Sequence, residues 1–324
     1  MPAWLPAGHT PIPITWYQGA TADPLGTLTF DGIVNGLHRP GIDVEPIIPP
    51  DVTASQGYNH VGDLTWDRRE SGRLLLPLEC YTPGAPNGGN TCGRGAIGVA
   101  DARTLRWRYL VPLDQAEIAK AMWCETSPDG RLVWTSSGAD LLAYRADQIR
   151  PGAPPLRSVK RLPGAVPPTG VTGAAFYGDR LLLASQSGGA FAVSSVDVRT
   201  GARRLELERQ LSGESEGLVV RLDGTLDWIV TPADPLGRPP TFQQNTLLRF
   251  RPGHARPRLR VRAVRRGGVV TIHAAGPDGP ITGAVVRAGA RWALTSAAGT
   301  ARIKAPRGRR ITVRRADLRS ATVR

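Results

Sequence analysis

Met122-Trp-Cys-Glu-Thr-Ser-Pro-Asp-Gly130, followed by Arg131-Leu-Val-Trp-Thr-Ser-Ser137 and Asp140-Leu-Leu-Ala-Tyr-Arg145, is the stretch that decides how the chain is read. A short strand enters the polar turn Ser127-Pro-Asp-Gly130, whose Asp-Gly pair suits a tight reversal between antiparallel strands. A strongly apolar strand leaves the turn, and a third strand ends on a basic residue. The same order recurs at Thr172–Asp179, Arg180–Ser185, Ala190–Val198 and Arg203–Gln210. It recurs again at Glu216–Gly224, Thr225–Val230 and Thr246–Phe250, and earlier at His60–Asp67, Gly72–Leu78, Ala96–Asp101 and Trp107–Val111. A degraded copy starts near Tyr17 and includes Gly26–Asp31 and Gly36–Arg39. Copies of three or four short strands, repeating every ~40–60 residues, predict the blades of a β-propeller. Five copies are visible, and a sixth would need residues upstream, so the expectation is an all-β propeller of five or six blades. A β-sandwich is the structural alternative, although one sandwich seldom holds ~18–20 strands.

Residues 1–250 are assigned to this propeller and 251–257 to a Pro/Gly-containing linker. Residues 258–324 hold a second run of short strands divided by Gly and Pro turns, which predicts a small Ig-like β-sandwich. Charge follows the same division. The whole chain of 324 residues is formally +14, yet Arg251–Arg324 alone carries 17 Arg and 1 Lys against Asp278 and Asp317. The first 250 residues keep 23 basic and 25 acidic side chains, a near-neutral body. With 41% hydrophobic residues the chain is not disordered, and no apolar run reaches the ~20 residues of a membrane span.

Three cysteines are present. Cys80 and Cys92 flank a Pro/Gly/Asn-rich loop and are expected to form a disulfide, which requires an oxidising compartment; two unrelated thiols are the alternative. Cys124 is the odd one, expected to be buried. Met1-Pro-Ala-Trp-Leu-Pro-Ala-Gly-His9 lacks the basic and apolar regions of a signal peptide. Either the protein is cytoplasmic or its native start lies upstream of Met1. The second, a secreted or cell-surface protein, is the expectation.

Short matches to known families follow from these residues. Ser127-Pro-Asp-Gly-Arg-Leu-Val-Trp134 with Asp140-Leu-Leu-Ala-Tyr144 resembles the lactonase (YVTN) class of propeller repeat. Val171-Thr-Gly-Ala-Ala-Phe176 and Glu214-Ser-Glu-Gly-Leu-Val-Val220 resemble the phytase-like and SMP-30-like propellers, in which a Glu-Gly-Leu segment opens the innermost strand of a blade. Gly279-Pro-Ile-Thr-Gly-Ala-Val-Val-Arg287, with Leu294-Thr-Ser-Ala-Ala-Gly-Thr-Ala-Arg-Ile303, resembles carboxypeptidase-regulatory-like modules. That last resemblance implies an extracellular, non-catalytic unit.

Chemistry on a propeller gathers where each blade's first strand begins. Those positions hold His60, Asp63, Glu125, Thr172, Glu214 and Glu216. Carboxylates sharing one funnel repel, so a hard cation or a raised pKa must resolve them. Glu216, His60 and Glu125 are therefore the candidate catalytic residues. Glu216, Glu125 and Asp63 are the candidate ligands of a divalent cation such as calcium. The competing reading is that each carboxylate satisfies backbone donors at the inner edge of its blade. Gly213-Glu-Ser-Glu-Gly217 matches G-x-S-x-G but leads into a strand rather than a helix, which argues against a nucleophile elbow. Trp66-Asp67 lacks the Gly-His partner of a WD40 blade.

The basic segment could bind a polyanionic surface, but no specific nucleic-acid signature accompanies it. Its arginines alternate through Arg258-Leu-Arg-Val-Arg-Ala-Val-Arg265, the pattern of a solvated strand face. Two functions remain open. One is a binding or interaction protein taking a small-molecule or glycan ligand on the propeller face. The other is a calcium-type hydrolase of the phytase-like, SMP-30-like or lactonase-like kind.

Overall fold

A computed structural model describes residues 4–32, 35–70, 72–85, 89–232 and 239–323. The described residues are all-β apart from one short helix, Pro50–Gln56, and a single 3-10 turn. Five sheets are built between Trp4 and Pro252, and two more between Arg260 and Val323.

The deciding stretch folds as its spacing predicts. Glu125–Thr126 pairs with Leu132–Ser137, which pairs with Asp140–Arg145, and Lys160–Leu162 completes the third sheet. The turn between its first two strands is fixed locally. The Asp129 carboxylate accepts from the Ser127 hydroxyl at 2.6 Å and from the Arg131 N–H at 3.0 Å, and Gly130 takes φ +70°, where a Cβ is strained.

Central strands here are apolar on both faces because each sheet is sandwiched between two others. Leu74, Leu76 and Leu78 of the second sheet pack with Leu37, Ile47 and Ile48 from the first. Leu75, between them in sequence, points the other way, into Val133, Leu142 and Tyr144 of the third. Trp134 and Leu141 of the third sheet meet Leu181 and Leu183 of the fourth. Leu182 and Ala184 of the fourth meet Trp228 and Val230 of the fifth. Ile229 and Leu247 of the fifth then meet Ala20 and Phe30 of the first. Five inter-sheet cores thus close a ring, the arrangement of a β-propeller. Strand alternation distributes successive residues between neighbouring cores.

The ring is clasped by a segment that the repeat pattern does not mark. Trp4–Pro11 adds the outer strand of the fifth sheet, antiparallel to Thr246–Pro252. The two ends of the ring's chain therefore share one sheet.

Arg260–Arg266, Val269–Gly276, Gly279–Pro280 and Thr300–Lys304 form the sixth sheet. Arg291–Leu294, Val285–Ala288, Ile311–Arg314 and Ala321–Val323 form the seventh. The two enclose a separate core containing Val270, Ile272, Val286, Ile303 and Val313. This C-terminal unit sits on the ring. Trp292 meets Trp66 edge-to-face at 5.3 Å, and the Arg315 guanidinium lies 3.3 Å from the Asp179 carboxylate. Gly283 backs onto the Pro128 carbonyl and Gly224 onto that of Ala316. Leu25 and Leu222 share a cleft with Arg287 and Arg310. Every one of these ring residues lies in, or just before, the turn that follows the first strand of its sheet. The C-terminal unit therefore caps one end of the ring axis.

Candidate ligand-binding mouth of the ring

Five first strands surround the axis and run in the same sense, from the uncapped end towards the capped turns. Hydrogen bonds between them divide the axis into three levels. The middle level is a constriction built around Asp63. Its backbone N–H donates to the Met122 carbonyl at 3.0 Å, and its carbonyl accepts from Cys124 N–H at 3.0 Å. Its carboxylate accepts from Ala20 N–H at 3.1 Å, Ala174 N–H at 2.8 Å and Leu218 N–H at 3.4 Å. One residue thereby ties its own strand to the inner segments of all four other sheets.

Glycines make this closeness possible. A Cβ on Gly19 would stand 2.5 Å from Asp63 Cα, one on Gly217 would stand 2.5 Å from Gly19 Cα, and one on Gly173 would stand 2.6 Å from Gly217 Cα. None of these glycines has a positive φ; the requirement is purely one of space. Burial pushes the Asp63 carboxyl well above its usual range, three N–H donors pull it back, and Glu125 adds to the rise.

Beyond the constriction, at the capped end, lies Glu125. It accepts from the Thr65 hydroxyl at 2.6 Å and from Phe176 N–H at 3.5 Å, with the Arg68 guanidinium 3.9 Å away. Burial raises its carboxyl and Arg68 opposes the rise. Thr21 closes the same level by accepting from Trp66 N–H at 2.9 Å.

At the uncapped end the axis opens as a polar mouth. His60 faces Glu79 on the adjacent strand, with Nδ1 2.9 Å from Oε1 but not aligned as a hydrogen bond. The Tyr81 ring lies 5.0 Å from that of His60. Thr172 and Ser215 share a hydrogen bond of 2.9 Å. Glu214 stands at the exposed rim, and Glu216 lies below it, only 7% exposed. Burial pushes Glu216 well above its ordinary value, reinforced by Glu214, Asp31 and Asp63. Burial also raises Glu214, with His60 opposing. Tyr17 is pushed up to about 12 by burial and by Glu216 and Glu214.

The floor of the mouth holds a residue that sequence reasoning missed. Asp31 is wholly buried, and neither carboxylate oxygen has a hydrogen-bond partner. It faces a bulge opposite Tyr17-Gln18-Gly19 and shares the Cβ-less side of Gly19 with Asp63. Burial and Asp63 push it well above its usual value, and the nearby backbone N–H groups of Asp31 and Gly19 oppose the rise.

The structure thus gathers His60 and Glu216 at one end with Tyr17, Glu79, Tyr81 and Glu214. Asp63 is placed in the constriction with its lone pairs engaged, and Glu125 is on the far side. Asp31 would suit a hard cation that displaced its proton, being buried with both oxygens unpartnered. The remaining donors do not complete a cage. Among the described residues no group of three His, Cys, Asp or Glu is placed to hold a metal.

The Cys80–Cys92 disulfide is formed, with Cα atoms 5.6 Å apart, and Cys124 is free and buried. The bridged loop follows Glu79, so it stands at the rim of the mouth. Asn59 fastens it there, donating to the Tyr81 carbonyl at 2.8 Å and accepting from Tyr81 N–H at 2.7 Å. No helix among the described residues is long and apolar enough to cross a membrane.

No protein-family model and no curated protein sequence matches the chain. Its fold is similar to several solved structures. A luciferin-regenerating enzyme shares 12% identity over 76% of this chain and 97% of its own, with a TM-score of 0.49. The calcium-binding protein regucalcin from Agrobacterium tumefaciens shares 14% identity over 76% of this chain and 95% of its own, at 0.46. The β-propeller domain of Cps50 (Swd1) from Myceliophteria thermophila shares 9% over 69% of this chain and 66% of its own, at 0.36. Likeness this distant transfers no activity.

Proposed function

We propose that the chain is a five-bladed propeller with a C-terminal Ig-like sandwich, and that it is a secreted or surface-associated binding protein. Its open mouth takes a small ligand that carries positive charge or donates several hydrogen bonds, such as a cation, an amine or a hydroxyl-rich sugar. The observation that carries this reading is the column of carboxyl groups from Glu214 through Glu216 to Asp31. It is open to solvent at the rim, and among the described residues His60 is the cation placed to oppose it. Groups so crowded gain stabilisation from any donor-rich partner. The disulfide supports an oxidising compartment. The arginine-rich C-terminal unit, in this reading, meets an anionic partner.

Calorimetric titration of the intact protein with calcium, spermidine and neutral oligosaccharides tests the mouth. At least one probe should bind, and Glu216→Gln should weaken that probe at least tenfold. Identical binding by the wild type and Glu216→Gln, or no binding by any probe, overturns the reading.

A second reading is the metal-dependent hydrolase of phytase-like, SMP-30-like or lactonase-like kind. It is favoured by the His60–Glu79 pair beside the raised Glu216 carboxyl, an arrangement suited to proton transfer. Calcium-dependent turnover of phosphate or lactone esters, lost in His60→Gln and Glu216→Gln, would select it.

A further inference from the structure

The C-terminal unit caps the ring without sealing the joint. A cleft of about 580 Å³ remains between them. Arg68 and Arg69, from the turn after the second sheet's first strand, form one wall, and Arg291, Trp292, Arg302 and Lys304 form the other. Among the described residues no carboxylate lines it. Arg68 has one distant acidic neighbour, Glu125 at 3.9 Å. Among the described residues, Arg69, Arg291, Arg302 and Lys304 are in no ion pair.

Several arginines on the ring, by contrast, sit next to acids. Arg108 pairs with Asp101, Arg145 with Asp147, Arg161 with Asp140 and Arg204 with Glu206. Five cations facing a concave space, four of them without an acidic partner, hold a strongly positive potential, focused by the low-dielectric walls. Guanidinium forks match tetrahedral oxyanions, and the volume lies within the ~300–1,000 Å³ range of small-ligand sites. The cleft exists only when ring and C-terminal unit are docked, since each supplies one wall.

We infer that this junction cleft binds a small polyvalent oxyanion bearing phosphate or sulfate groups. The inference rests on the reading that the C-terminal unit meets an anion and narrows it to one place. Bound there, the anion bridges the two units and strengthens their docking.

The test is a titration of the intact protein with inorganic tripolyphosphate and, separately, inorganic sulfate at low salt. Two charge-matched double variants are compared. Arg302→Ser with Lys304→Ser removes two of the three cations from one wall of the cleft, and both side chains are exposed, so folding is spared. Arg262→Ser with Arg266→Ser removes the same charge from exposed positions on the sixth sheet, outside that wall. The cleft variant should lose about tenfold or more in tripolyphosphate affinity, the scale of losing charge-assisted hydrogen bonds, and the control should lose less than threefold. Stronger binding of tripolyphosphate than sulfate marks a multivalent phosphate as the preferred class; the reverse marks a sulfate-type anion. Equal losses in the two variants overturn the cleft while leaving general anion attraction intact. No binding by the wild type overturns the anionic-partner reading itself.

Discussion

Asp31→Asn isolates the energetic consequence of a buried, unpartnered carboxyl at the floor of the mouth. In the folded protein this carboxyl is held well above its usual value by burial and by Asp63. In the unfolded chain it ionises near ~4. Between those two values the folded state keeps a proton that the unfolded state has released. A carboxyl raised on folding therefore contributes most below the ordinary carboxylate range, and that contribution is lost as pH rises towards the folded value. Each such proton makes stability fall by up to ~1.4 kcal/mol per pH unit. Asp63 and Glu216 are raised in the same direction. The wild type should thus lose stability as pH rises above the ordinary carboxylate range, and Asp31→Asn should flatten that slope by up to ~1.4 kcal/mol per unit. The buried carboxamide carries its own desolvation cost, but that cost does not vary with pH, so the slope is the diagnostic quantity. Urea titrations of both proteins at three pH values measure it. Parallel stability–pH curves for the two would refute the reasoning.

Other consequences follow from single contacts. Gly217→Ala places a methyl 2.5 Å from Gly19 Cα and from Asp63 Oδ1, so it should destabilise by about 1–3 kcal/mol or more in urea titration, as overpacking does. Reducing Cys80–Cys92, which closes a loop of sequence separation 12, should cost about 3 kcal/mol on loop-entropy grounds, read as a lower thermal midpoint in reductant. Trp292→Ala removes the ring's edge-to-face partner for Trp66; it should increase protease cleavage between 252 and 260 while leaving the five-sheet ring folded by circular dichroism.

The ring was legible because its local signals are strong. Ser127-Pro-Asp-Gly130 names its own turn, and Leu74-Leu75-Leu76 reads as a strand buried on both faces. The clasp was not. Trp4–Pro11 contains Pro6, Gly8 and Pro11, is mostly exposed, and shows no alternation, because an outer strand packs on one neighbour only. The helix Pro50–Gln56 buries none of its residues and left no periodic trace. The carboxylates were found as residue types but not as an arrangement. Glu125 begins its inner strand and Glu216 is the third residue of its own, yet they fall on opposite sides of Asp63, because a shift of two or three residues along a strand changes the level. Asp63's partners are backbone N–H groups of three distant segments, which no side-chain pattern records. Asp31 sits on a second strand and reaches the axis only through the bulge opposite Gly19, which sequence periodicity does not show.

The central claim is that Asp63 ties the ring together on its axis. Amide hydrogen exchange of Ala20, Ala174 and Leu218 in the wild type and in Asp63→Ala tests it most directly. The account predicts that all three amides are strongly protected in the wild type and lose protection together in the variant, while amides of outer strands such as Arg203–Gln210 change little. Unchanged protection at the three sites, or a loss confined to one of them, would contradict it.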